Sequence, residues 1–445
     1  MTDAVAHFFA TTPPGAAVAL PLRQIGAVVV GNALEFYDFL TFAYFAVYIG
    51  RTFFPAHNPA SSLLMSLGVF GAGFVTRPVG AFVIGVMGDR IGRKPAMMLS
   101  FAVMGLSILG LALTPSYAQI GVAAPILVLI FRLVQGFALG GEVGPTTAYL
   151  IEAAPLGRRG LYGSLQYASQ NAATVAAGVF GASLASLLTP GQLQDWGWRL
   201  AMLIGCLIVP FGLWVRRGLP ETLHAADDAA LAPDTAGSGK SLVRSYRGPV
   251  LFGLALLTAG TIGTYVGTYT TTYALATLHM PPAQAFGIAI VRGGVAMVLL
   301  PIGGLLSDRF GRRPVMLIPS LVSLFSIIPG FWLMTHFPTT PVVYAALGWI
   351  TAFAALGAAP VIVTLTEALP RRIRSGVVAV VYAVAITVFG GSTQFVVVWL
   401  QERTGDPMSP AFIWTAAVVL GLVAALLIKE TAPGKRAAVA SGVKG

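Results

Sequence analysis

The chain contains about twelve runs of predominantly apolar residues, and each is close to the roughly 20 residues that a helix needs to cross a bilayer. Short polar or Gly/Pro segments separate the runs. With 56% hydrophobic and 10% charged residues, the chain has too few charges to cover the surface of a soluble protein. The sequence therefore predicts an all-α integral membrane protein with twelve transmembrane helices, at residues 24–49, 61–87, 96–113, 123–151, 161–188, 200–215, 250–278, 283–307, 315–334, 342–365, 376–400 and 411–428.

Basic residues are distributed unevenly between the loops, which predicts the orientation of the helices. If both termini are cytoplasmic, 21 of the 27 Lys and Arg residues lie in cytoplasmic segments and three lie on the other side. Cytoplasmic loops of membrane proteins carry this excess. The formal net charge of +11 is then a consequence of topology, so we expect the lipid bilayer, and no nucleic acid, as a partner. The first twenty residues lack the basic start of a cleaved signal peptide, so the first helix is expected to direct insertion.

Two motifs recur six helices apart, which predicts a duplicated six-helix unit. "GDRIGRKP" at residues 88–95 is repeated as "SDRFGRRP" at 307–314, and "IEAAPLGRRG" after helix 4 is matched by "TEALPRRIRSG" after helix 10. A long polar stretch rich in Ala, Asp, Gly and Ser lies between the two units. We place an N-terminal six-helix bundle at 1–217, a cytoplasmic linker at 218–248 and a C-terminal six-helix bundle at 249–445.

The cysteine and histidine residues do not indicate a metal site or a histidine relay. The single cysteine, Cys206, lies in an apolar run, where a small buried hydrophobic residue is the ordinary interpretation. The five histidines fall in loops or near predicted helix ends. We therefore expect no metal site and no cofactor, and we expect no enzymatic activity because the loops and termini contain no catalytic constellation.

Ionisable residues inside the predicted helices indicate where a functional site lies. A charge at mid-membrane costs some 2.5 kcal/mol or more, so such residues face a wet cavity or pair with each other. Three acids and three arginines are in this position: Glu35, Asp38, Glu142, Arg77, Arg132 and Arg292. Ion pairing between helices remains an alternative for each of them, but six together favour a site.

The chemistry of this set suits an anion with several carboxylates and a coupled proton. Arginine presents a planar fork of donors to carboxylates, and the proton occupancy of a buried acid responds to its surroundings. We predict that Asp38, Glu142 and Glu35 couple proton movement to transport. The predicted substrate-binding residues are Asn32, Tyr37, Arg77, Arg132, Gln135, Gln166, Gln170, Asn171, Tyr265, Arg292 and Gln394. The threonines of helix 7 can add hydroxyls or can bond to their own helix backbone.

The repeated Asp-Arg motif and "RLVQGFALGGE" in helix 4 resemble the major facilitator superfamily. Within it, "GNALEFYDF", "RPVGA", "GGE" and "DWGWRL" are similar to the metabolite:proton symporters, and with "VFGGSTQ" they are most similar to the citrate or tricarballylate:proton symporters. The resemblance runs from about Gly31 to Ile428, and it departs from the citrate carriers at Phe36, where they have glutamine, and at Arg292, where an apolar residue is expected.

This resemblance implies two six-helix bundles, related by a pseudo-two-fold axis along the membrane normal, that rock about a central site. It also implies import of citrate or a related tricarboxylate with protons, in a bacterial inner membrane, by a protein that functions as a monomer. The open alternatives are a symporter of another organic acid, such as a dicarboxylate or a shikimate-like compound, or of an osmolyte. A proton-driven exporter and a non-transporting receptor also remain open.

The Asp-Arg motifs predict a gate at the cytoplasmic end. A carboxylate there can lie over the N-terminus of a helix from the other half, where the helix dipole is partly positive. We expect Asp89 to contact helix 11 and Asp308 to contact helix 5. The other predicted gate residues are Arg90, Arg93, Glu152, Arg158, Arg309, Arg312, Glu367 and Arg374. The alternative, that these charges only set topology, explains the arginines but not an aspartate at the same place twice.

Arg292 is not explained by the resemblance. It lies near the middle of helix 8, with no acid within two turns of its own helix, and Gly293 and Gly294 leave room beside it for a ligand. We hypothesise that Arg292 binds one substrate carboxylate while Arg77 or Arg132 binds another, so that the anion bridges the two halves. The alternative is an arginine that snorkels or pairs with an acid on another helix.

Overall fold

The computed structural model describes residues 22–91, 93–140, 154–206, 209–210, 247–369 and 371–432. This part of the chain is helical apart from short turns, with helices in each of the twelve predicted apolar runs. Eight of the described helices are long and apolar enough to cross a membrane. The predicted all-α fold is confirmed.

The helices are numbered α1 to α12 along the chain. In the first half they are α1 (Leu22–Tyr44, continuing as Ala46–Phe53), α2 (Pro59–Val75, continuing as Arg77–Ile91), α3 (Arg93–Leu113), α4 (Ala123–Gly140), α5 (Arg159–Leu187) and α6 (Trp198–Cys206). In the second half they are α7 (Arg247–Ala276), α8 (Pro282–Phe310), α9 (Arg312–His336), α10 (Thr340–Ala358, continuing as Val361–Ala368), α11 (Arg371–Ala385, continuing as Gly391–Thr404) and α12 (Ser409–Leu427).

Most of the predicted linker at 218–248 lies outside the described residues. Its last two residues, Arg247 and Gly248, belong to α7, so the helix begins slightly earlier than predicted.

Two of the long helices are interrupted near prolines. In α2, Pro78 has no N–H for the Phe74 carbonyl, which instead accepts a hydrogen bond from the Thr76 N–H where the first segment ends. In α10, the first segment ends at Ala358 and the second begins after Pro360. A single wide helical turn at Ile386–Gly390 interrupts α11 without a proline. These interruptions lie in helices that the sequence predicted to be continuous.

Glycines bring the two halves into close contact. Helix α5 of the first half packs against α8 of the second, and a Cβ added to Gly160 would lie 2.5 Å from the Gly304 carbonyl oxygen. Helix α2 approaches α11 in the same way, because a Cβ on Gly391 would lie 2.8 Å from the Gly71 carbonyl oxygen. Backbones this close leave no room for a side chain, so the contacts depend on glycine.

The halves meet at both ends of the bundle. We call the end that carries the α2–α3 and α8–α9 turns the basic end, and the other the opposite end. At the opposite end, the Thr272 hydroxyl donates to the Ala43 carbonyl over 3.3 Å, and the Asn58 amide donates to Glu402 over 3.3 Å. At the basic end, Asp308 of α8 contacts α5. A central cluster of buried aromatic residues lies between the two ends.

Candidate functional site

A chain of three buried polar side chains joins α1 to α4 at the centre of the molecule. Asp38 is 1% exposed, and Arg132 and Gln135 are each 2% exposed. The Gln135 Nε2 donates to Asp38 Oδ2, and the Arg132 guanidinium donates to Gln135 Oε1. The three-residue spacing of Arg132 and Gln135 places both on one face of α4. The Gln135 amide therefore connects the Asp38 carboxylate to the Arg132 guanidinium, and the carboxylate and the guanidinium form no direct ion pair.

The second carboxylate oxygen of Asp38 lies on the side of α6. Asp38 Oδ1 is buried and makes no hydrogen bond within the described residues. A Cβ built on Gly205 would lie 3.4 Å from this oxygen, so the glycine leaves a small space beside it. An unsatisfied buried acceptor costs about 1 to 3 kcal/mol. Oδ1 is therefore the oxygen of Asp38 that is open to a proton or a hydrogen-bond donor.

Aromatic rings of the described residues surround the two arginines of the first half. Arg132 Cζ lies 4.3 Å from the ring centroid of Phe42, and Arg77 Cζ lies 4.1 Å from that of Phe74. Phe39 contacts both guanidinium groups, at 5.4 Å from Arg132 and 4.8 Å from Arg77. Cation–π contacts of this kind are worth up to about 2 kcal/mol when desolvated. No ion pair of either arginine with Asp38 is present; Glu142 and the side chain of Glu35 lie outside the described part.

The second half contributes α7 and α11 to the same region. Gln394 is 1% exposed and donates to the Tyr265 carbonyl over 3.4 Å. The Tyr265 ring packs edge-on against Phe74 with centroids 5.5 Å apart, and its hydroxyl lies near Arg77. The structure therefore brings predicted residues of both halves together around Arg77.

The polar residues of α5 divide into two groups. Asn32 donates to the Gln166 carbonyl over 3.1 Å and to the Ser169 hydroxyl over 2.7 Å, which ties α1 to α5. Asn171 donates to the carbonyl of Tyr167 on its own helix. The buried Gln170 Nε2, by contrast, makes no hydrogen bond within the described residues. Gln170 is therefore better placed to meet a ligand than Asn32 or Asn171.

Two further predictions concern residues at the edge of this region. The Tyr37 hydroxyl is directed to the Ala201 carbonyl of α6, at 3.4 Å, and not to Arg77 or Arg132. Arg292 lies against α7 at Gly267 and is half-buried. Thr264 and Thr268 donate to carbonyls of their own helix, which is the alternative stated for the threonines of α7 above, whereas Thr272 donates to the Ala43 carbonyl of α1.

At the basic end, the predicted contact between Asp308 and α5 is present. Asp308 Oδ1 accepts the Gly160 N–H over 2.8 Å, and Oδ2 accepts the Leu161 N–H over 3.0 Å. These are among the first N–H groups of α5, which have no partner within the helix. The carboxylate thus binds the positive end of a helix from the other half.

Arg312 connects this contact to α10. It is 1% exposed, and its Nη1 donates to Asp308 over 2.6 Å. Its Nη2 and Nε donate to the two carboxylate oxygens of Glu367 over 3.0 and 3.2 Å. The Thr431 hydroxyl, after α12, also donates to Glu367 over 3.0 Å. Helices α5, α8, α9 and α10 are therefore linked through one buried guanidinium.

Glu430 is a member of this network that the sequence analysis missed. Its carboxylate accepts the N–H groups of Arg312 and Arg313, over 2.9 and 3.0 Å, at the start of α9. Burial raises the pKa of Glu430, but hydrogen bonds from four backbone N–H groups outweigh it and hold that pKa below the ordinary value. The available signal was a repeat of Glu-Thr, at 221–222 after the predicted helix 6 and at 430–431 after helix 12.

The other predicted gate residues have different positions. Arg158 and Arg309 are exposed, and Arg309 lies 5.4 Å from the Phe310 ring centroid instead of joining Arg312 and Glu367. The side chains of Asp89, Arg90, Arg93 and Arg374, and all of Glu152, lie outside what the structure describes. The described ranges contain no group of three or more His, Cys, Asp or Glu residues able to hold a metal ion.

Comparison with known proteins gives consistent results. The model of the Major Facilitator Superfamily matches residues 36–390. The chain is 37% identical to the citrate-proton symporter of Salmonella typhi over 90% of this chain and 92% of the relative. It is 33% identical to the alpha-ketoglutarate permease of Escherichia coli K12 over 93% of this chain and 96% of the relative. A crystal structure of a D-xylose-proton symporter matches with a TM-score of 0.74 at 17% identity, over 93% of this chain and 98% of that one. This last likeness bears on the fold alone.

Proposed function

Since the chain belongs to the major facilitator superfamily, a family of membrane transporters, we propose that it is a proton-coupled symporter that imports an organic anion, with citrate or a related tricarboxylate as the substrate. The names of the relatives support this class, because one carries citrate with protons and another is a permease for a dicarboxylate. The observation that carries the proposal is the buried chain from Asp38 through Gln135 to Arg132, next to Arg77.

The three hydrogen-bonded side chains, Asp38, Gln135 and Arg132, can couple proton binding to anion binding. An ionised Asp38 attracts Arg132 through the Gln135 amide. A proton that binds at Oδ1, the open oxygen, removes the negative charge and weakens the hold on the guanidinium. Arg132 and Arg77 are then available to substrate carboxylates, which accept hydrogen bonds from arginine in a bidentate geometry. Glu142 and Glu35 remain the further candidates for proton coupling.

The substrate residues of this proposal are contributed by both halves. Arg77, Arg132, Gln135, Gln166 and Gln170 come from the first half, and Tyr265, Gln394 and Arg292 from the second. A ligand held by both halves favours their closure around it, and rocking of the halves then moves it across the membrane.

The network at the basic end acts in this scheme as a gate. It joins the halves when the site is closed to that side, and it must break for the substrate to leave. We place this end in the cytoplasm of a bacterial cell, with both termini cytoplasmic, an N-terminal bundle at 1–217, a linker at 218–248 and a C-terminal bundle at 249–445. The monomer is the functional unit.

Uptake of radiolabelled citrate into proteoliposomes tests the proposal. With an inwardly directed proton gradient, citrate is expected to accumulate above its external concentration, and a protonophore is expected to abolish the accumulation. Competition by unlabelled alpha-ketoglutarate, shikimate and betaine identifies the preferred class. If radiolabelled citrate does not accumulate, and radiolabelled alpha-ketoglutarate, shikimate and betaine do not accumulate either under the same proton gradient, proton symport is contradicted.

A further inference from the structure

Gly267 of α7 provides the space in which the Arg292 guanidinium lies. A Cβ built on Gly267 would lie 2.6 Å from Arg292 Cζ, well inside contact distance, so the guanidinium rests against the bare backbone of α7. On the other side of Arg292, the following residue, Gly293, packs against α5 near Thr174. Arg292 is therefore held between α5 and α7, at the interface of the two halves.

The charge of Arg292 is not neutralised by the described residues around it. None of their carboxylates forms an ion pair with it, and its Nε is buried without a hydrogen-bond acceptor. A charge this deep is costly unless it is paired, and snorkelling is easiest near the helix ends, whereas Arg292 is in the middle of α8. A ligand that fits this position would therefore carry the negative charge that the described residues do not supply.

A second polar group lies next to this arginine, on the first half. Tyr44 of α1 is fully buried, and its hydroxyl lies near the Thr174 hydroxyl of α5 and close enough to Arg292 for an electrostatic interaction. A hydroxyl donor and a guanidinium donor on opposite halves suit one carboxylate between them.

We propose that Arg292, Tyr44 and Gly267 form a second anion subsite, which binds one additional carboxylate of the substrate, and that Gly267 determines specificity by leaving the guanidinium its place. This inference rests on the proposed function, and it adds that selection for di- and tricarboxylates over monocarboxylates is made on the α7–α8 side. Tyr44 and Arg292 would touch the carboxylate, whereas Gly267 acts through Arg292 as a positioning residue.

Calorimetric titration of the purified full-length protein with lactate, succinate and citrate tests this subsite. The variants are Gly267→Ala, Arg292→Gln and the double variant. Because the guanidinium is the end of a flexible side chain, alanine at 267 is expected to displace it without moving the backbone. Gly260→Ala is the matched control, since Gly260 lies two turns away on α7 and a Cβ there meets no atom within 4 Å.

A charged hydrogen bond contributes enough that both single variants should weaken citrate and succinate binding by roughly ten- to a hundredfold and lactate binding by much less. The double variant should bind no more weakly than Arg292→Gln, because Gly267 acts through that residue. The Gly260→Ala control should bind like the wild type.

Three results would overturn the inference: equal weakening for all three ligands, multiplicative effects in the double variant, or a wild-type protein that gains no affinity from a second carboxylate. If Gly267→Ala does not fold, Arg292→Gln alone still decides whether the additional carboxylate is bound here. A wild-type protein that prefers succinate to citrate and shows the predicted losses would support the subsite while contradicting the proposed tricarboxylate. Absence of proton-driven uptake in proteoliposomes contradicts the proposed function and is measured separately.

Discussion

The buried carboxylate of Asp38 is expected to carry the transported proton. We predict that Asp38→Asn abolishes accumulation of substrate against its gradient and retains exchange of internal for external substrate, because the amide cannot release a proton but leaves the cavity intact. Uptake and counterflow in proteoliposomes measure the two activities. Asp195→Asn is the control, since Asp195 is exposed near the opposite end. If both Asp38→Asn and Glu142→Gln still accumulate substrate, the assignment of the coupling residues is wrong.

Glu430 should make stability depend on pH in the acidic range. The pKa of Glu430 is lower in the folded protein than in the unfolded chain. The stability that the ionised carboxylate contributes is therefore fully present above the unfolded-state pKa and is lost as the pH falls through the folded-state pKa. We expect Glu430→Gln to destabilise the protein at pH 7 by about 0.3 to 1 kcal/mol, as for a partly solvated charge at a helix N-terminus. The difference in thermal unfolding temperature between wild type and variant should shrink as the pH falls below the ordinary glutamate pKa and through the lower folded-state value. A difference that stays constant with pH would contradict an ionic contact.

The sequence located the polar residues of the centre but not their partners. Asp38, Arg132 and Gln135 were identifiable because polar side chains are rare in apolar helices. The phenylalanines around Arg77 and Arg132 were not, because Phe39, Phe42, Phe70 and Phe74 have the composition of any apolar helix and only the packing of α1 against α2 and α4 makes them contacts of arginine.

The contact between α8 and α5 should set the balance between states of the carrier. We predict that Asp308→Asn weakens the closure of the basic end without removing the substrate site. An exposed helix-dipole contact is worth about 0.3 to 1 kcal/mol and a partly buried one up to roughly 2, so the shift should be severalfold to some thirtyfold. Asp89→Asn is expected to act alike by pseudo-symmetry. Accessibility of cysteines introduced on both faces measures the shift, in a background without Cys206, the single native cysteine. Unchanged labelling in both variants would favour a purely topological role.

The crossing of α2 and α11 should hold the two halves together. We predict that Gly71→Ala separates these helices and reduces transport at least severalfold, because the new Cβ meets the backbone of Gly391 rather than a side chain that can move. Gly68→Ala, one turn earlier, is the matched control, since its Cβ meets only the Phe395 ring at 3.8 Å. Initial rates of uptake at equal reconstituted amounts make the comparison. Equal rates for the two variants would show that the crossing tolerates a wider spacing.

Helix positions were predictable from apolar run length, whereas interruptions were not. Pro78 and Pro360 lie at breaks, but Pro301, Pro319 and Pro329 lie inside continuous helices. A proline removes one hydrogen bond in every case, and the neighbouring helices decide whether the backbone stays in place. The wide turn in α11 contains no proline, so no proline in the sequence indicates its position.

At the scale of the whole molecule, the duplication gave the two six-helix halves and the contact of Asp308 with α5. The sequence duplication does not predict which contacts between the halves are present at the same time. In the described residues both ends of the interface are joined, by Asp308 at the basic end and by Asn58 with Glu402 at the opposite end. The relative positions of rigid halves depend on small free-energy differences between whole arrangements, which no local pattern encodes.

In the proposed mechanism, a proton and an organic anion cross the membrane together through the site around Asp38. The most direct test is the internal pH of proteoliposomes, reported by a trapped dye, when a citrate gradient is applied without any initial proton gradient. Citrate entry is expected to acidify the interior of wild-type vesicles. The acidification is expected to be absent in Asp38→Asn vesicles, and Asp195→Asn vesicles are expected to behave like wild type. Citrate entry into wild-type vesicles with no more acidification than in protein-free vesicles would contradict the proposed mechanism.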